Sequence, residues 1–260
     1  MFVIKIKPER KIDIIVRIGL YISLGLLIAS FVQKGVLPKK KAIHPDLYQE
    51  PIQRETYTPS FEAKAEGSIY DINPSHHYKL NGLVVSQHDS TAWWDYYHKK
   101  WGDSLNLKDV CVIWGDNLEN ETYRRMRFRN GNWTCYVSVN HKTADQDWAQ
   151  FNMAALSNNH LLSDKAEINQ ALRKVHVGDQ IYLKGYLASY HRQGSHFSRD
   201  SSISRTDEGD GACETIYLTD FKVLKSANFF WWSVYGVSKY LVLILFIFLV
   251  FLRIQAPLSR

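Results

Sequence analysis

The sequence predicts a mainly β body with short helices, set between two transmembrane helices. Three observations carry that prediction. Residues 14–32, IIVRIGLYISLGLLIASFV, hold one charge, Arg17. Residues 240–252, YLVLILFIFLVFL, hold none and follow the aromatic run NFFWWSVYGV. Between them lie short runs rich in aromatic and β-branched residues, punctuated by Gly, Asn and Asp, with one clear helical period.

A helix needs roughly 20 apolar residues to cross the hydrocarbon layer. The first segment meets this, giving a span over 12–33 behind a cytoplasmic tail, 1–11. A cleaved signal peptide competes for it, but the run is long and no A-x-A site follows. The second segment meets it if the helix starts near Phe229, which encloses Lys239; a lysine stem can reach back to the headgroups. The alternative is an interfacial stretch to 237 and a short helix from Tyr240. Either way 228–253 is an aromatic interfacial stretch plus span, with 254–260 as tail, and Trp231 and Trp232 suit the interface. Gly19 with Ser23, and Gly25 with Ala29, have small-xxx-small spacing, which lets helix backbones approach in lipid. Packing against the second helix or another subunit is expected of both pairs.

The net charge of +6 is unevenly placed. Residues 45–227 carry 20 basic and 24 acidic side chains, and the remainder carries 12 and 2. The basicity belongs to the membrane flanks, where anionic headgroups attract it. A slightly acidic body argues against nucleic acid as a partner. Lys5, Lys7, Arg10, Lys11 and Arg17 before the first span balance Lys34, Lys39, Lys40 and Lys41 after it. Charge alone therefore sets no orientation, although two spans put both termini on one side.

Along the body, 34–66 is rich in proline and mixed charge and reads as a linker or strap, with the folded domain over 67–226. HYKLNGLVVSQ (77–87) and LKDVCVIWG (107–115) read as strands. TAWWDYYHKKW (91–101) reads as a helix capped by Ser90 or Thr91. Arg125, Arg127 and Arg129 fall at spacing two and share a strand face opposite Met126 and Phe128. Asn-Gly at 130–131 then turns the chain into WTCYVSV. Those arginines face water, or an anionic headgroup, polymer or protein surface suited to guanidinium. Residues 145–156 read as a helix. Asp164 and Glu167 form a capping box before an apolar face of Ile168, Ala171, Leu172 and Val175. VGDQIYLKGYLASY follows as a strand with a bend at Gly185, and CETIYLTDFKVLK is the last strand. Several strands, one helix before the penultimate strand and a VGDxIxLxGxL phrase point to an OB-like small barrel.

YKLNGLVVSQHD, LKDVCVIWGDN, NWTCYVSV, SNNHLL, VGDQIYLKGYLASY and SRTDEGDGACETIYLTDF together resemble a family of bacterial membrane-anchored proteins with no assigned activity. The resemblance covers about 45–225 and implies no catalytic residues. Two terminal helices around a β-rich domain are also similar, in topology only, to cytochrome-oxidase assembly factors of the surfeit type.

Of three cysteines, Cys111 and Cys135 lie in strand-like runs. They either bond in an oxidising compartment, leaving Cys213 a thiol, or all three pack reduced. The histidines show no metal-ligand spacing. DEGDGACE, with Asp207, Asp210 and Glu214, lacks the order of a calcium loop. No metal, cofactor or catalytic residue is assigned. Asn158, Asn159 and His160, between two predicted helices, are turn and cap formers or a polar binding site. Arg205 and Asp207, in the long loop before the last strand, are binding candidates, since OB-type barrels bind through loops there. The reading is a non-enzymatic module in the bacterial inner membrane, its body periplasmic. Its partners are the bilayer and a membrane protein or second copy. A hydrolase using the loop residues, and a single-strand nucleic-acid binder, are the alternatives.

Overall fold

A computed structural model describes residues 8–93, 95–131, 134–207 and 212–255. It contains two units, one from the terminal segments and one spanning Leu37–Ala227.

In the terminal unit, helix α1 (Pro8–Gln33) packs on helix α6 (Phe229–Gln255). Both are long and apolar enough to cross a membrane. At 1.5 Å per residue each runs about 40 Å. α6 is continuous from Phe229, so the shorter helix from Tyr240 does not form and Lys239 lies inside the helix. Asn228, at φ 56°, precedes α6 and donates from Nδ2 to Lys34 O (3.2 Å) and Val36 O (2.7 Å). Those bonds tie the start of α6 to the end of α1. Lys34 Nζ sits 3.6 Å from the Tyr235 ring and 4.3 Å from that of Trp232. The packed face of α1 buries Val16, Ser23 and Ser30, and Leu245 lies 3.5 Å from where a Gly19 Cβ would stand. Gly19 and Ser23 thus lie on the face of α1 toward α6, whereas Gly25 and Ala29 are exposed, residue 25 being about 200° round the helix from Ser23.

The central unit contains strands β1 (Ile52–Glu55), β2 (Phe61–Ala65), β3 (Ser68–Asp89), β4 (Asn106–Ile113), β5 (Arg127–Asn130), β6 (Cys135–Ser138), β7 (Leu156–Leu162), β8 (Gln180–Arg192), β9 (Ser198–Arg199) and β10 (Glu214–Lys225). Short helices are α2 (Tyr97–Trp101), α3 (Asp116–Glu119), α4 (Ala144–Gln150) and α5 (Ala166–Arg173). β3 pairs antiparallel with β4, and β4 with β7; β7 runs parallel to β10. β10 pairs antiparallel with β8, and β8 with β3, so the pairings return to the strand they left. β1 and β2 add to β3, β9 adds to β8, and β5–β6 form a separate ribbon.

Period-two alternation divides each strand between two environments. Val110, Val112, Leu161, Ile181, Leu183, Ile216 and Leu218 share one core with Ile168 and Leu172 of α5. The opposite side of β4 and β7 carries Asp109, Cys111, Asn158 and His160, in register as Asp109↔His160 and Cys111↔Asn158.

Several local expectations change. From Leu37 on, the 34–66 stretch belongs to the central unit: it supplies β1 and β2, and Leu47 and Ala63 are fully buried. Of its four prolines, Pro51 precedes β1 and Pro59 lies between β1 and β2, and neither prevents pairing. Among the described residues of 91–101 only Tyr97–Trp101 is helical, and Asp95, not Ser90 or Thr91, accepts its His98 N–H at 2.9 Å. The 145–156 helix is α4 followed by a 3-10 turn at Met153–Ala155. Asp164 does not cap α5, which starts at Ala166; its Oδ1 instead accepts from Tyr217 Oη at 2.6 Å.

Gly185 sits opposite Leu218, next to a register shift in β10. A Cβ there would stand 2.0 Å from the carbonyl oxygen of Tyr217. Backbone cannot give way as a flexible side chain can, so Gly185→Ala is expected to cost about 3 kcal/mol, read as a lowered denaturation midpoint. A midpoint equal to wild type would contradict that close approach.

Candidate functional site

SNNHLL is strand β7, not a loop between helices, and the residues from Ser157 to Leu162 are buried. A polar side chain survives there only with partners. Asn159 faces the core side, where its Nδ2 donates to Val110 O (3.2 Å) and Ser157 Oγ (2.8 Å). It is fully buried. Asn158 and His160 project the other way.

His160 anchors the site. Its Nδ1 is 2.7 Å from Asp109 Oδ1, and both residues are buried, at 3% and 0% exposure. The same ring hydrogen-bonds the side chain of Cys213, just before β10. Asn158 Nδ2 donates to Cys213 Sγ at 3.3 Å. Three adjacent strands thus place a carboxylate, an imidazole and a thiol in a row. Burial opposes charge on His160, but the Asp109 carboxylate beside it outweighs this and raises its pKa to about 9. Burial likewise opposes charge on Asp109, yet His160 and the Asn106 amide, donating at 2.9 Å, hold it below the usual carboxylate range. At neutral pH the pair is imidazolium and carboxylate.

Cys213 lines a cavity of about 640 Å³ together with Asn158, Glu214, Arg205, Asp207 and Cys135. Cys135 is bonded to Cys111 with Cα atoms 5.9 Å apart, and Cys213 is left outside that bond. Glu214 is 6% exposed, and burial raises its pKa to about 8, so it is neutral at pH 7. Asp207 Oδ2 accepts from Ser202 Oγ at 2.5 Å. Arg205 and Asp207 therefore do lie at one cavity with Asn158. Asp210 of the acidic run falls outside the described residues.

Comparisons of the chain with known family models, curated proteins and solved structures find no match. The geometry alone therefore carries the reading of the site.

A second cluster sits along the same network. His88 Nε2 and His98 Nδ1 lie 2.6 and 2.9 Å from Asp95 Oδ2, and the three ligand atoms are within 4.8 Å of one another. Such a set could hold a divalent ion. Asn106 weighs against it: its Nδ2, anchored on Asp109, faces His98 Nε2 at 3.1 Å. That nitrogen must accept, so the ring proton stays on Nδ1, where a metal would need a lone pair. The cluster reads as a hydrogen-bonded His–Asp–His brace.

The three arginines do not share a face. Arg125 ends a 3-10 turn before β5 and pairs with Asp147 of α4 at 2.8 Å. Arg127 and Arg129 alternate outward on β5, with Arg129 5.4 Å from the Tyr136 ring. The period of two begins only where the strand does. The following turn lies partly at 132–133, outside the described residues; Gly131 N donates to Thr134 O at 2.8 Å.

Sequence reasoning missed Asp109 and Cys213 as site residues. Asp109 had a signal: it is a lone carboxylate inside the apolar run LKDVCVI.

Proposed function

We propose that this is an envelope enzyme of the bacterial inner membrane that uses Cys213 as a nucleophile on acyl groups. Its ring of strands is read as an OB-type barrel on the periplasmic side. The 1-2-3-5-4-1 order of the five ring strands, with the third and fifth parallel, supports the barrel. The Cys111–Cys135 bond suits an oxidising compartment.

One observation carries the chemistry: a thiol hydrogen-bonded to a histidine whose Nδ1 is held by a buried aspartate, at the wall of a cavity. A cation beside a thiol favours the nucleophilic thiolate. The sulfur attacks the acyl carbon, His160 gives its proton to the leaving group, and water or another acceptor cleaves the thioester. The Asn158 N–H, donated to that sulfur, supports the thiolate before attack.

Full-length protein in detergent, given p-nitrophenyl acetate, should release one burst of nitrophenol per chain. Cys213→Ala should lose the burst, and His160→Gln should slow Cys213 alkylation by about 100-fold. A wild-type alkylation rate in His160→Gln would sink the proposal.

A second reading, a non-enzymatic docking or assembly module, is favoured by one surface feature. Trp93 and Tyr96 are 83% and 63% exposed beside Tyr97 and Trp101. Aromatic residues of this kind anchor protein interfaces. The likeness to membrane-anchored bacterial proteins and to assembly factors fits that reading too. Nucleic acid fits poorly against an acidic body.

A further inference from the structure

We infer that the cavity beside Cys213 takes a substrate bearing a carboxylate, gripped by Arg205 and faced by Glu214. The inference rests on the thiol reading above and names its substrate class.

Two polar groups on the cavity wall each keep a buried atom with no hydrogen-bond partner. Arg205 lies over aromatic faces, 5.2 Å from the Trp114 ring and 5.8 Å from that of Tyr78. These contacts hold the guanidinium plane, and one of its donors bonds the Tyr78 side chain, which leaves the rest of the fork open. Its Nη1 is buried without a hydrogen-bond partner, and among the described residues no carboxylate forms an ion pair with it. Glu214 is nine-tenths buried, and its Oε2 is also unpartnered. The two line one cavity without bonding each other. Buried polar groups are rarely left so unless something else completes them. A carboxylate completes both, since it offers two oxygens to the guanidinium fork and accepts the acid proton of Glu214. Asp207 is the opposing charge on the wall, and its Oδ2 is engaged by Ser202. Glu214, neutral at pH 7, adds no second repulsion.

Two small alkylating agents test this on the full-length protein in detergent at pH 7. Iodoacetate and iodoacetamide react alike: the thiolate sulfur bonds to the methylene carbon and iodide leaves. They differ in carrying a carboxylate or a neutral amide. Labelling of Cys213 by iodoacetate should saturate and exceed that by iodoacetamide about tenfold. In Arg205→Gln the preference should invert, and in Arg205→Lys, which keeps charge but not the fork, it should be intermediate. A thermal transition for each variant confirms that it folds. Fast labelling with iodoacetamide preferred would overturn the carboxylate inference and leave the thiol reading standing. No labelling by either agent in folded protein would overturn both.

Discussion

Asp109→Ala is expected to destabilise the body by roughly 3–5 kcal/mol, the usual cost of removing one partner from a buried ion pair. The reason is what stays behind. His160 is 3% exposed and cannot reach water, so without the carboxylate it must lose its proton or carry an uncompensated charge. The pair also sets a pH dependence. The folded pKa of His160, about 9, lies above the ordinary value near 6.5. Its stabilising contribution is therefore complete below about 6.5 and is lost as pH rises through about 9, on the order of 3 kcal/mol in all. Glu214 acts in the same direction, because its folded pKa of about 8 favours the protonated form and its contribution fades from about 4.5 upward. Asp109, held low, acts oppositely and loses its contribution only in strong acid. Stability should peak on the acid side of neutrality and fall steadily toward pH 9. Denaturation followed by tryptophan fluorescence at pH 6 and pH 9 measures this. Asp109→Asn should lose most of the His160 part of the slope, and Glu214→Gln should lose the Glu214 part. A slope untouched by Asp109→Asn would mean the imidazole is not charged in the fold.

Part of this was readable in the chain. The two helices long and apolar enough to cross a membrane follow from hydropathy, because their length and composition are both visible in the sequence. The apolar face of α5 and the strands around Val110, Ile181 and Ile216 follow from period, because one side of each is buried. What failed has a shared cause. SNNHLL looked like a turn because Ser and Asn satisfy backbone groups locally, yet in β7 their partners come from β4 and from the segment before β10. The 34–66 stretch looked like a linker or a strap, without strands of its own, because pairing to β3 is long-range and leaves only short runs between prolines. The row of Asp109, His160 and Cys213 spans more than a hundred residues and three strands, so no spacing rule could assemble it. Only the registers of β4 and β10 on β7 do.

Reduction of the Cys111–Cys135 bond is the other large expected effect. The two cysteines are 24 residues apart. Opening a loop of that length releases about 3.5 kcal/mol of denatured-state entropy, and for a body of this size that lowers Tm by about 10 °C. The native consequence is local. Among the described residues β5 and β6 pair only with each other, so the ribbon is held to the body by the bond, by Phe128 and Val137 against the core around Tyr123, and by polar contacts of Asn130. Asn130 receives Ser86 Oγ and donates to Asn158 Oδ1 at 2.8 Å. Asn158 in turn donates to the Cys213 sulfur. Loosening the ribbon therefore reaches the thiol through two amides, and Cys135 and Thr134 leave the cavity wall with it. Paired Cys111→Ser and Cys135→Ser substitutions should reproduce the fall in Tm and weaken the preference of Cys213 for one alkylating agent over the other. If Tm falls while that preference is unchanged, the ribbon is a stabilising strap and not a wall of the site.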